Sequence, residues 1–201
     1  GYFEKSIFTS HYGDLTAHQN TILFLKNSTA NMNGAGTDID ITVPDKTATS
    51  DPFAGLYVEG TSVLNGVKKI TVGENSNGIF MKDATFTSNV TDIVSTKEGA
   101  KGLLAENSNL TTNSKITLSG KNSIGIYAKN TSASSKNIIN TGKLDLSGEQ
   151  TLGAFLVGKQ NFENKADINI ADSADAKKPT IGIYTATTVE KDGAGNCLLY
   201  T

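Results

Sequence analysis

The sequence predicts an all-β fold: a right-handed parallel β-helix built from three-strand coils of about 23–29 residues. Two observations carry this prediction. A glycine followed by two apolar residues recurs along the chain, and nothing in the chain has a helical period. Successive glycine anchors are 23, 24, 23, 28 and 29 residues apart: Gly55-Leu56-Tyr57, Gly78-Ile79-Phe80, Gly102-Leu103-Leu104, Gly125-Ile126-Tyr127, Gly153-Ala154-Phe155 and Gly182-Ile183-Tyr184.

Each period contains three short segments with strand character. The clearest period has an anchor at 102–105, an apolar residue at Leu110 and an alternating run at 115–119. Alternation of apolar and polar residues places one row of side chains inside and one row in water. Asn, Ser, Gly and Asp lie between the runs and predict turns. We therefore expect stacked parallel coils around an apolar column, with the anchor glycines at tight corners.

One elongated body accounts for the whole chain. Residues 53–188 form the regular coils, and residues 1–52 are irregular or contain early coils, one of them running from 21–25 to 39–43. Residues 189–201 resemble the start of a further coil, and the chain begins at Gly1, so we expect a piece of a longer protein. No apolar run approaches the length that crosses a bilayer.

Composition argues against several classes of partner and site. Charged residues make up 19% of the chain and the formal net charge is -2, which does not favour nucleic acid. Every basic residue is lysine, so the usual bidentate clamp for carboxylate and phosphate is missing. Cys197 is the single cysteine, which excludes an intrachain disulfide.

Two insertions interrupt the regular coils and are the candidate binding loops. Both should protrude from the shaft, and loops on a rigid scaffold often bind partners. Tolerated surface drift is the alternative for either loop. The candidate residues are Ser132, Ser134, Ser135, Lys136 and Asn137 in the first insertion, and Ser173, Asp175 and Lys177 in the second.

Carboxylates provide the weak case for an enzyme. Parallel β-helices include polysaccharide lyases and hydrolases, which need paired carboxylates or a calcium site with a strong base. Asp38 and Asp40 alternate on one strand and would share a face. Further carboxylates lie in the second insertion and at an isolated position, and all of them have an ordinary explanation as solvated residues: Asp172, Asp175 and Asp167.

Metal and phosphate chemistry has less support. His11 and His18 lack the third ligand that a zinc site needs. Gly34-Ala35-Gly36-Thr37 lacks the lysine and the helix of a phosphate loop. We therefore expect no catalytic residue, no bound metal and no cofactor.

The repeats resemble the passenger repeats of type V (classical) autotransporters, and are most like the very large fusobacterial outer-membrane adhesins. The resemblance covers about residues 53–188. Its clearest segments are Asn122-Ser123-Ile124-Gly125-Ile126-Tyr127-Ala128-Lys129-Asn130, Asn140-Thr141-Gly142-Lys143-Leu144-Asp145-Leu146-Ser147-Gly148 and Thr151-Leu152-Gly153-Ala154-Phe155.

This resemblance implies an extracellular passenger that a C-terminal β-barrel, not included in this chain, exports and holds at the outer membrane. It further implies display on the cell surface, adhesion to host cells or other bacteria, and a role in virulence. The partner would be a protein or glycan receptor. The family supplies no catalytic motif that can be transferred to this chain.

Three functions remain open from the sequence. The chain is expected to act in adhesion, either by binding a receptor through the two insertions or as a stalk that only spaces a distal tip. A β-helical enzyme that cleaves polysaccharides is the third hypothesis.

Overall fold

A computed structural model of the chain describes residues 2–9, 15–16, 21–32, 39–46, 54–172 and 175–187. These residues form twenty strands and no helix. The strands pair in parallel from coil to coil, so that the chain winds as a β-helix with three faces. The predicted fold class is confirmed. In the described residues no helix is long and apolar enough to span a membrane.

The first face of the β-helix contains the strands at the anchor glycines. It contains the N-terminal parts of two long strands, β7 (Ala54–Asn65) and β9 (Asn77–Ser88), which continue into the second face. Its strands are β1 (Tyr2–Glu4), β4 (Leu23–Lys26), β7 (Ala54–Asn65), β9 (Asn77–Ser88), β11 (Lys101–Glu106), β14 (Ile124–Asn130), β17 (Leu152–Gly158) and β20 (Ile181–Ala186).

The second and third faces complete each coil. The second face contains the C-terminal parts of β7 and β9 with β2 (Ile7–Thr9), β5 (Thr29–Asn31), β12 (Asn109–Thr112), β15 (Lys136–Asn140) and β18 (Gln160–Asn164). The third face contains β3 (Leu15–Thr16), β6 (Ile39–Val43), β8 (Val67–Val72), β10 (Asp92–Ser95), β13 (Lys115–Leu118), β16 (Leu144–Leu146) and β19 (Ile168–Ile170).

The hydrophobic core is a column inside the coils. On the first face Leu56 pairs with Ile79, and Leu103 pairs with Ile126, so apolar side chains of successive coils stack directly. Phe86 contributes from the second face and is among the largest fully buried side chains. Each fully buried side chain of this kind stabilises the fold by about 1.5–3 kcal/mol. Stacking of coil on coil is therefore the main source of stability.

The anchor glycines lie at the corner where the third face meets the first. A Cβ on Gly55 would contact the side chains of Val43 and Ile41, which places this glycine against the core. A Cβ on Gly78 would lie 2.6 Å from the carbonyl oxygen of Gly102, one coil further along. The anchors do not have a positive φ. Glycine is needed here because successive coils bring backbone against backbone, not because of an unusual backbone angle.

The early part of the chain continues the same stack. Strands β4, β5 and β6 form the coil that the segments 21–25 and 39–43 predicted, and β1, β2 and β3 pair with it. Several sequence-based candidates lie outside the described residues: His11, His18, the segment 34–37, Asp38, Ser173 and residues 189–201.

Candidate functional site

A groove lies on the outer surface of the third face. Its volume is about 410 Å³. Its floor is a column of outward-facing residues in register on four neighbouring strands: Thr42, Thr71, Val94 and Thr117. Its wall is the corner that leads to the first face, and includes Pro44, Asp45, Gly73, Thr96 and Lys97.

Strand alternation creates the floor. In β6 the side chains of Ile41 and Val43 are buried in the core, so Thr42 between them points outward. The same alternation repeats at Thr71 and Thr117 in β8 and β13. The groove therefore follows from the period-2 pattern combined with parallel stacking.

Close packing of backbone makes the wall continuous. A Cβ on Gly73 would lie 2.3 Å from the carbonyl carbon of Pro44, so these two coils contact each other through main chain. The next corner is tied to the preceding coil, since the Ser95 hydroxyl donates to the backbone carbonyl of Val72 at 2.7 Å. A wall built in this way keeps its shape without help from a ligand.

The charged groups of the wall neutralise each other. The Asp45 carboxylate accepts a hydrogen bond from the Glu74 N–H at 2.7 Å, and its second oxygen lies 3.4 Å from Lys97 Nζ. The Glu74 N–H lowers the pKa of Asp45, and Lys97 adds to this effect, although burial acts against it. The wall therefore carries an ionised pair and little net charge.

A second column of charged residues borders the floor. It alternates in sign along the stack, through Asp40, Lys69, Asp92 and Lys115. Lys69 Nζ lies 2.8 Å from Asp40 Oδ2. The structure thus places Asp40, a carboxylate of the weak enzyme hypothesis, in an ion pair within this column. An ion-paired carboxylate fits a structural role at least as well as a catalytic one.

Two of the five candidate residues of the first insertion lie in a strand and not in the loop. Residues 131–135 connect β14 to β15, and Ser132, Ser134 and Ser135 lie in this loop. Lys136 and Asn137 do not: they belong to β15 and pair with Gln160 and Asn161 of the next coil. Pairing between coils, rather than local composition, ends the loop at 135.

Asn130 organises the loop from its buried position. Its amide nitrogen donates to the carbonyls of Ser134 at 2.8 Å and Lys159 at 2.7 Å. Its amide oxygen accepts from the N–H and the hydroxyl of Ser132 at 2.9 and 2.6 Å. Asn130, which sequence reasoning did not select, therefore makes four of the hydrogen bonds that hold the loop, and Asn107 and Lys159 add others. The sequence feature that could have identified Asn130 is an asparagine directly before a segment rich in Ser and Thr.

Replacing Asn130 with alanine is expected to lower the free energy of unfolding by about 1–3 kcal/mol, because the four part-buried hydrogen bonds of its amide are lost together. Asn130 is 5% exposed, so water does not easily replace the amide. Hydrogen exchange of residues 131–135 should also accelerate. Ser135→Ala is the matched control, since Ser135 is exposed in the same loop. Equal exchange rates in both variants would show that Asn130 does not hold the loop.

The second insertion, 171–180, connects β19 to β20. Asp175 closes a tight turn in it: a side-chain oxygen accepts from the Lys177 N–H at 2.9 Å, and its carbonyl accepts from the Lys178 N–H at 2.9 Å. Lys177 is exposed. The first loop joins the first face to the second, whereas this one joins the third face to the first. The two candidate loops therefore lie at different corners and do not form one site.

The other candidate carboxylates are exposed or paired with lysine. Asp167 and Asp172 are exposed. Asp145, which the sequence did not single out, lies 3.0 Å from Lys143 Nζ and 3.5 Å from Lys115 Nζ. Burial raises the pKa of Asp145, but hydrogen bonds from Lys143 and Asn169 outweigh it and lower the pKa overall. Among the described residues no three His, Cys, Asp or Glu side chains gather as a metal site would require.

Comparison with known proteins gives no match for this chain. No protein-family model matches it, and neither the curated proteins nor the solved structures include one with significant similarity. The groove, the anchored loop and the stack of coils are therefore the features from which a function can be inferred.

Proposed function

We propose that this chain is part of the passenger of a surface-exposed autotransporter adhesin of the type V secretion class, and that it mediates attachment to host cells or other bacteria. It acts without catalysis, at the cell surface and outer membrane, through a protein or glycan receptor. The observation that carries the proposal is the stack of parallel coils, which holds an anchored loop and a groove on its outer surface.

A stack of this kind suits a rod that holds a binding surface away from a cell. Each coil lengthens the rod by about 4.8 Å, and each coil contacts only its neighbours. Asparagine side chains join successive coils: Asn65 Nδ2 donates to Asn31 Oδ1 at 2.9 Å, and Asn89 Nδ2 donates to Asn65 Oδ1 at 2.7 Å. These bonds add stiffness along the axis.

Two more columns of side chains lie on the outer side of the first face. Aromatic rings stack in one of them, where the centroids of Phe24 and Tyr57 are 4.9 Å apart. Charges alternate in sign in the other, so each neighbour along the column has the opposite charge and favours the native register. This column consists of Glu4, Lys26, Glu59, Lys82, Glu106 and Lys129.

A stalk that only spaces a distal binding tip is the second candidate function. The regular coils favour it, since the same columns that stiffen the rod require no ligand. A polysaccharide-cleaving enzyme is favoured less, because Asp40 and Asp145 are each paired with a lysine.

A competition assay tests the proposal. Purified chain is added while the parent cells attach to host cells and to partner bacteria. We expect the folded chain to reduce attachment, because it would occupy the receptor. Failure of the folded chain to block attachment would favour the stalk.

Two variants locate the binding surface. The first replaces residues 131–135 with the two-residue connection Asn107-Ser108 of the preceding coil, and keeps β15 intact. The second, Asp175→Ala with Lys177→Ala, alters the other loop. Thr111→Ala on the exposed side of β12 is the control. If a loop variant no longer blocks attachment while the control still does, the receptor binds that loop. If both loop variants and the control all block attachment, the receptor binds another surface.

A further inference from the structure

We propose that the groove on the third face binds an uncharged linear oligosaccharide that lies along the axis of the β-helix. This inference rests on the proposed function, for which it supplies the class of ligand and a site that differs from both loops.

The shape of the groove fits a short extended chain. A volume of about 410 Å³ falls within the range of about 300–1,000 Å³ that is typical of small-ligand sites. Its floor crosses four strands from Thr42 to Thr117, three coil spacings or about 14 Å. The long dimension runs along the stack, so the ligand has to be linear in that direction.

The floor offers the polar groups that sugar hydroxyls need. Within the described part of the chain, the hydroxyls of Thr42, Thr71 and Thr117 make no hydrogen bond to another residue. The neighbouring Ser76 and Ser95 hydroxyls, in contrast, each donate to a backbone carbonyl at 2.7 Å. The threonine hydroxyls are therefore available to a ligand, and each can donate and accept.

Apolar groups in the groove match the C–H faces of a sugar ring. The threonine methyl groups, the side chain of Val94 and the ring of Pro44 are all part of the lining. A ligand that combines hydroxyl groups with apolar faces can use both kinds of contact at once. Carbohydrates have this combination.

The charge of the site favours an uncharged ligand. Lys97 pairs with Asp45 on the wall, and Lys69 pairs with Asp40 beside the floor. A polyanion would need cations that are not already neutralised, and arginine is absent from the chain. Acidic glycans would therefore bind less well than neutral ones.

An extended peptide is disfavoured by the same floor. Peptides that bind to sheets usually add a strand to a free edge, through backbone hydrogen bonds. Strands β6, β8, β10 and β13 each pair with a neighbour on both sides. Their backbone groups are used within the sheet, and only side chains face the groove.

The binding of one site should be weak, since the groove lining contains no aromatic side chain. Many copies on one cell surface would compensate, because linked sites bind with an affinity far above that of a single site.

The test is a titration of the purified chain, followed by NMR, with uncharged linear oligosaccharides of several linkages. Uronic acid and sulfated oligosaccharides, and a polar extended peptide, are the comparison ligands. We expect an uncharged oligosaccharide to bind with the highest affinity. Thr71→Val should weaken binding about fivefold, as expected for one lost hydrogen bond, and Thr71→Val with Thr117→Val about twentyfold.

Thr111→Val on the second face is the matched control, since it makes the same chemical change on an exposed strand outside the groove. Circular dichroism checks that the variants fold, which valine should allow in a strand. The proposal is overturned if no uncharged oligosaccharide binds, if an acidic ligand or the peptide binds better, or if the control weakens binding as much as Thr71→Val does.

The attachment assay separates failure of this site from failure of the adhesin function. Blocking of attachment without oligosaccharide binding would overturn the groove proposal and leave adhesion standing. Oligosaccharide binding without any blocking would support the groove and count against attachment.

Discussion

Replacing Phe86 with alanine is expected to lower the free energy of unfolding by about 3–5 kcal/mol, the largest effect of any single change considered for this chain. Phe86 is 1% exposed and pairs with Leu110 of the next coil. Its removal leaves a cavity in the middle of the stack that neighbouring coils cannot fill without breaking their pairing. Urea unfolding followed by circular dichroism measures the change.

Ile7→Ala is the control for Phe86→Ala. Ile7 also lies in a strand of the second face but is 80% exposed, so its truncation should change the free energy of unfolding by less than about 0.5 kcal/mol. Similar losses in both variants would contradict a core that runs through the middle of the coils.

Replacing Gly125 with alanine is expected to cost about 1–3 kcal/mol, although it adds only one methyl group. The added Cβ would lie 2.6 Å from the carbonyl oxygen of Gly153 in the next coil. Backbone cannot move aside as a flexible side chain can, so the two coils must separate and weaken their hydrogen bonds. The same urea titration measures the loss.

Gly182→Ala is the matched control, because it changes an anchor glycine whose nearest neighbours are different. Among the described residues, a Cβ there would meet side-chain atoms of Ile168 and Ile170, both at 3.3 Å, and no backbone atom. This variant should leave the free energy of unfolding almost unchanged, since alanine lowers the conformational entropy of the unfolded chain and this offsets slight crowding in the folded state. If Gly125→Ala also left the free energy of unfolding unchanged, close approach of backbone would not explain why glycine occupies the anchor positions.

Local patterns predicted the strands well. The run at 115–119 corresponds to β13 (Lys115–Leu118), and the anchor at 102–105 lies within β11 (Lys101–Glu106). Alternation with period two and the spacing of glycines are properties of short segments, so they can be recognised before any coil has a neighbour.

Features that depend on neighbouring coils were predicted less well. The composition of 131–137 predicts a loop, but pairing with β18 makes Lys136 and Asn137 part of a strand. Asp145 was not selected, because its lysine and asparagine partners come from three different coils. Asn130 was missed for a related reason: one of the carbonyls that it binds, that of Lys159, belongs to the following coil.

Residue type and spacing along the chain are enough to predict a parallel β-helix, where its coils begin, and which side chains face inward. Which outward-facing residues become neighbours depends on how the coils stack. Thr42, Thr71 and Thr117 are far apart in sequence and form one floor because parallel strands stack in register. Register between coils is a property of the whole stack, set by core packing and loop length together, so a surface groove emerges only when the coils are assembled.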